Sequence, residues 1–223
     1  MTVLIGEGTT EIIYGETSIP AGAETLGGYL ARPDLDGDWP TILVFGPKPE
    51  PTSAIKAMCR RMARHAVATL APAMTGDHAA DRRMARSIAA FVANKDGGWS
   101  NARIGYGLVA FGSGIDDAAA LASHDARAMA LAVVGSTLDG AVTDALSSAD
   151  IPVLFIGSRG DDTVDIDRSV EARDELPRAS YALYGDMAAH WWDIEAPGYD
   201  EDMAFDTFDR LVGFFGEQLP ARL

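Results

Sequence analysis

The sequence predicts an α/β fold built on an open, mostly parallel sheet, and three observations carry that prediction. Apolar runs without polar alternation recur along the chain: TILVFG (41–46), ATLAPA (68–73), IGYGLVAFG (104–112), AMALAVVGS (128–136), IPVLFIGS (151–158) and SYALYG (180–185). A strand that is apolar at every position is buried on both faces, as strands of a parallel sheet are. Between these runs lie segments with apolar residues at helical spacing, giving the alternating order of an α/β domain with helices on both faces of the sheet. Residues 8–33 differ. They mix β-branched residues with glycines and read as two or three short antiparallel strands that preface the sheet.

Each helix has its own warrant. In TSAIKAMCRRMARH (52–65), Ile55, Met58, Cys59 and Met62 share a face, and Arg60, Arg61 and Arg64 lie mostly elsewhere. AADRRMARSIAAFVAN (79–94) is amphipathic, and shorter helices are expected at 114–123, 140–149 and 166–176. The closing helix, 199–219, has a broad apolar face of Met203, Phe205, Phe208, Leu211, Val212, Phe215 and Leu219. No repeat, low-complexity tract or linker interrupts the pattern, so residues 1–223 are expected to form one domain.

Composition narrows the function. The chain has 223 residues, 48% of them apolar, and a formal charge of −15. That charge repels phosphate backbones and anionic lipid, so neither nucleic acid nor a membrane surface is an expected partner. The only cysteine is Cys59, so no internal disulfide can form and a reducing compartment is the default. The first residues have no basic segment followed by an apolar one, and no apolar run is long enough to span a bilayer. A cytoplasmic protein is expected, acting on a small molecule; self-association into a homo-oligomer stays open.

Ligands of an open α/β sheet bind outside the carboxyl ends of the strands. Three such ends carry chemistry. The first is VAFGSGIDDAAALA (109–122), a buried strand that runs through glycines into a helix. That shape suits a nucleophile elbow or a dinucleotide loop. The dinucleotide reading is weak, because Asp117 stands at the third glycine position and two acids would repel phosphate. A plain helix start capped by Ser113 stays open. The second is IPVLFIGSRGDDTVDID (151–167), where Asp161 or Asp162 could orient a histidine; solvated loop acids are the simpler alternative, and the spacing lacks a calcium-loop pattern. No metal or cofactor is expected. The third is SYALYGDMAAHWWDIEAPGYDED (180–202), where His190 precedes Trp191 and Trp192.

In chain order these are elbow, acid, histidine, the order of the α/β-hydrolase fold. More narrowly, GGYLARP, TILVFG, AMCRRMARHAVATLAPAM, YGLVAFGSG, PVLFIGSRGDDTV, LYGDMAAHWW and YDEDMAFDTFDRLVGFF together resemble the dienelactone hydrolase family over roughly residues 25–220. The resemblance implies hydrolysis of a small ester or lactone. It implies catalytic roles for His190, Asp161 and the elbow at Gly112–Ser113. It also implies substrate contacts from Trp191, Trp192, Phe111 and Gly46.

Two departures stand out. The family places a Cys or Ser at the elbow apex, whereas alignment by the strand puts Gly112 there, flanked by Ala110 and Gly114. Ser113 is one residue later, between bulky Phe111 and Ile115. The loop after TILVFG carries Pro47, Pro49 and Pro51, which remove backbone N–H donors where an oxyanion hole is assembled. Three readings follow: a hydrolase with Ser113 attacking, a non-covalent enzyme using a His190–Asp161 general-base pair over a vacant position at Gly112, and an inactive relative used for binding or assembly. Cys59, on the buried phase of a helix, is expected to be a small apolar residue.

Overall fold

A computed structural model describes residues 8–47, 49–94 and 98–221. Eight strands form one sheet in the order β1-β2-β4-β3-β5-β6-β7-β8. β1 (Ile12–Ala21) and β2 (Glu24–Pro33) form an antiparallel hairpin paired over all ten residues of each. The preface is thus two long strands; a tight turn with Gly22 at φ +73 joins them. β2 also pairs antiparallel with β4 (Ala68–Pro72). From there the sheet is parallel through β3 (Thr41–Phe45), β5 (Tyr106–Phe111), β6 (Ala128–Val134), β7 (Val153–Ser158) and β8 (Ala179–Tyr184).

The apolar runs of β3, β4, β5, β6 and β7 are buried on both sides because alternate residues feed two cores, whereas β8, the edge strand, has only Ala182 buried. Leu43, Phe45, Leu108, Ala110, Leu131 and Val133 face one core, completed by α2 (His78–Ala93), α3 (Ile115–His124), α4 (Gly140–Ala149) and α5 (Ile166–Glu171). Ile42, Val44, Val109, Phe111, Ala132 and Val134 face the other, which packs on α1 (Ser53–Arg64) and α6 (Glu201–Gln218). In α1 the buried residues are Ile55, Met58, Cys59, Met62 and Ala63, one continuous stripe at helical spacing. Thr52 caps it by accepting a hydrogen bond from the Ile55 N–H. Asp200 caps α6 in the same way, at the Met203 N–H.

Two boundaries differ from expectation. The helix after β5 begins with a 3-10 turn, Gly112–Gly114, before α3 starts at Ile115. The segment 166–176 is one short helix followed by a 3-10 turn, Ala172–Asp174. Among the described residues no helix is long and apolar enough to cross a membrane. The expectation of no leader rests on the first residues, of which 1–7 lie outside the described residues.

Candidate active site

The chain turns sharply from β5 into α3 at residues 112–114. β5 ends at Phe111, in extended backbone, and Gly112 turns at φ +52, a left-handed conformation that side chains disfavour. Gly114, two residues on, lies so close to β3 that an added Cβ would come within 2.5 Å of the Phe45 carbonyl oxygen. The crossing of backbones requires glycine at 114. The Gly112 carbonyl accepts a 2.6 Å hydrogen bond from Ser136 Oγ on the loop after β6, which pins the turn.

The loop after β3 reaches over this turn. An ideal Cβ on Gly112 would stand 2.9 Å from Pro47 Cβ. The sequence suggested a side-chain-sized vacancy above Gly112; the Pro47 ring takes up much of it. The loop is tied at two points. Pro47 O accepts a 3.2 Å hydrogen bond from Ser113 Oγ, and Pro49 O accepts one of 2.6 Å from the Met74 N–H. Ser113 is exposed, and its hydroxyl proton points to a backbone carbonyl.

His190 stands in the loop after β8 at φ +60, one of three described non-glycine residues with positive φ. A histidine held in this region is strained by the structure around it. The restraints are visible. Ser158 Oγ donates to Met187 O at 2.7 Å, and the Gly160 N–H donates to Gly185 O. The Asp193 N–H closes a turn onto His190 O. Trp191 is fully buried and donates its indole N–H to Thr207 Oγ1 of α6 at 3.0 Å. Burial makes Trp191 an anchor for the loop and leaves it no surface to offer a substrate. The His190 ring stands edge-on to Trp192, with centroids 5.8 Å apart.

Of the two aspartates, Asp161 is buried and Asp162 is exposed. Asp161 Oδ1 accepts hydrogen bonds from the Thr163 N–H at 3.0 Å and from Thr163 Oγ1 at 2.6 Å. No hydrogen bond between His190 and either aspartate is present among the described residues. What reaches the histidine side is Thr163. A cleft of about 340 Å³ is lined by Pro47, Gly112, Ser113, Thr163 and His190, together with Gly135–Thr137 and Asp116. The ends of β5, β6, β7 and β8 therefore meet in one cavity. Phe111 and Trp192, whose rings pack at 4.5 Å, line a separate apolar pocket on the α1–α6 side, and Gly46 borders a small cavity beneath the proline loop. Thr163 and Ser136 were not singled out from sequence, and Pro47 was noted only for the N–H donor it lacks. The only available signal was that they directly follow the strand ends or the acid.

The eight-stranded, mostly parallel sheet with its antiparallel first strands and flanking helices is an α/β-hydrolase fold. Solved structures share it. A protein from Klebsiella pneumoniae subsp. pneumoniae, described as a dienelactone hydrolase, matches with a TM-score of 0.79 at 21% identity, over 93% of this chain and 99% of that one. A dienelactone hydrolase-like promiscuous phosphotriesterase from metagenomic libraries matches at 0.76 and 19%, over 94% and 99%. A cold-adapted esterase from an Arctic intertidal metagenomic library matches at 0.72 and 12%, over 94% and 95%. No family model and no curated protein matches the chain.

Proposed function

We propose that this chain hydrolyses a small ester or lactone in the cleft at the strand ends, with His190 as general base acting on water. One observation carries the reading: Gly112, Ser113, Thr163 and His190, from three loops distant in sequence, line a single cavity. The His190 ring takes a proton from water, and the oxygen attacks the substrate carbonyl carbon. The N–H of Ser113, the first after Gly112, receives the developing oxyanion in the 3-10 turn that precedes α3. Collapse breaks the bond to the alkoxide, and the imidazolium returns its proton to that leaving group. Asp161 acts as a positioning residue through Thr163, whose hydroxyl it holds at the cleft wall. The dienelactone hydrolase and esterase neighbours support ester chemistry on this fold.

Water is preferred over Ser113 as attacking group because the Ser113 hydroxyl proton is directed at Pro47 O. A second reading, attack by Ser113 itself, is favoured by its exposure at the cleft wall. A panel of nitrophenyl esters, thioesters and lactones separates the readings. Under general-base catalysis Ser113→Ala retains turnover, no burst of product precedes the steady state, and a fluorophosphonate leaves Ser113 unlabelled. His190→Ala lowers kcat/KM by about 100- to 10,000-fold. Labelling of Ser113 with loss of turnover in Ser113→Ala would assign the attack to serine. Absence of turnover across the whole panel would leave a binding protein on a hydrolase fold.

A further inference from the structure

β1 pairs with β2 along one side, and no strand among the described residues pairs with its other side. We propose that this edge is a dimer interface, where β1 of a second copy of the chain adds antiparallel about a two-fold axis at Gly15. The inference stands independently of the hydrolase reading, whose cleft lies at the loops after β3, β5, β6, β7 and β8.

The backbone determines which groups the edge offers. In an antiparallel ladder successive residues turn their N–H and C=O alternately toward and away from the neighbouring strand. The Asp34 N–H donates to Glu11 O, so the odd-numbered residues of β1 face β2. Pro20, which has no N–H to offer, falls in the other set. The N–H and C=O groups of Ile12, Tyr14, Glu16 and Ser18 therefore point away from the sheet. The register with β2 runs without a bulge, and the one proline stands near the far end of the strand. An edge this long and this little blunted is a template for another strand. Ile13 and Tyr14, 42% and 56% exposed, put an apolar side chain on each face of it.

Identical edges related by a two-fold axis pair antiparallel. With the axis at Gly15, Ile12 faces the partner's Ser18 and Tyr14 faces the partner's Glu16, so every outward residue that has an N–H is used. The neighbouring registers are worse. An axis at Glu16 sets like charges opposite each other and puts Ile12 against proline. An axis at Tyr14 puts Ser18 against threonine 10, whose N–H is already donated to Arg64 O. At Gly15 itself there is room, since nothing lies within 4 Å of an added Cβ. Charge agrees with this register. Lys56 of α1 pairs with Glu16 at 2.7 Å, and the Arg60 guanidinium lies 5.6 Å from the centre of the Tyr14 ring. Setting Tyr14 against the partner's Glu16 brings that carboxylate beside Arg60, so a chain of net charge −15 meets its own copy with a cation facing each acid.

Sedimentation velocity from low to high micromolar concentration should show monomers converting to dimers and to nothing larger. Tyr14→Pro and Ser18→Pro each remove an outward N–H and leave the β1–β2 ladder intact. By symmetry each deletes two hydrogen bonds and should raise the dimer Kd roughly tenfold. Two positions are offered so that one poorly folding variant does not decide the matter. Gly15→Cys, on the axis, should form an intermolecular disulfide under mild oxidation, seen on a non-reducing gel, and should do so faster than Thr17→Cys, which faces the partner's Ile13. The native Cys59 is buried and takes no part. The proposal is overturned if the chain stays monomeric across the range, if assembly continues past two copies, if both folded proline variants dimerise like the wild type, or if Thr17→Cys cross-links as fast as Gly15→Cys. Slow hydrogen exchange at the Tyr14 and Glu16 amides of the monomer would also overturn it, because the chain would then be covering its own edge.

Discussion

Position 112 is under two constraints at once: a left-handed backbone and a proline ring at contact distance. The left-handed conformation costs a side chain about 1–2 kcal/mol, and the proline adds crowding. Gly112→Ser alone should therefore lower stability and yield little covalent esterase activity. Pro47→Gly combined with Gly112→Ser should label with fluorophosphonate where neither single variant does. Labelling by Gly112→Ser alone would refute the crowding argument. Gly114 is tighter, because its obstacle is the Phe45 backbone. Gly114→Ala should cost about 1–3 kcal/mol, read as a lower urea midpoint at unchanged slope. Cys59 belongs to the same scale. Burial pushes its thiol up to about 12, so iodoacetamide at mild alkaline pH should modify it only after unfolding.

At the scale of elements, the joint between β8 and α6 holds the histidine loop from behind. Tyr184 donates to Asp206 Oδ2 at 2.6 Å, Arg210 Nε donates to the same oxygen at 2.7 Å, and Thr207 accepts from Trp191. Burial, then the hydrogen bond to Asp206, raises the Tyr184 phenol from 10.0 to about 12. Asp206 is held below the ordinary carboxylate value: burial opposes this, and the hydrogen bonds from Tyr184 and Arg210 outweigh it. The signs follow by linkage. The tyrosine's contribution is present below pH 10.0 and is lost as pH rises toward about 12. The aspartate's contribution is present at neutral pH and lost in acid. Tyr184→Phe should flatten the alkaline loss of stability measured by thermal unfolding; an unchanged alkaline limb would count against the joint. Elements of this kind were readable where periodicity was strong. α1 and α4 fall within a residue or two of their expected bounds, because capping side chains and apolar stripes are local. The 3-10 turn at 112–114 was not readable. It arises from the approach of β3 to the elbow, a contact between segments some seventy residues apart.

The whole molecule shows the same division. The mostly parallel sheet and its antiparallel preface followed from alternating runs and chain order. How the loops after β5, β7 and β8 arrange themselves did not. Asp161 turns to Thr163, two residues away, and Trp191 sinks into the core, because each finds a nearer partner than the site. Pro47 covers the elbow by a tertiary contact that no local pattern announces. A net charge of −15 also adds a long-range self-repulsion that its local ion pairs do not cancel. Screening should relieve this, so moderate sodium chloride should raise the Tm; a fall in Tm would contradict it.

The pairing of Pro47 with Gly112 also shapes what neighbouring genotypes can do. Serine at residue 112 is crowded while the proline stays, and loss of the proline gains no attacking group while the glycine stays. An attacking side chain at residue 112 is therefore reached only by changing both positions together, and either change made singly brings none of the benefit.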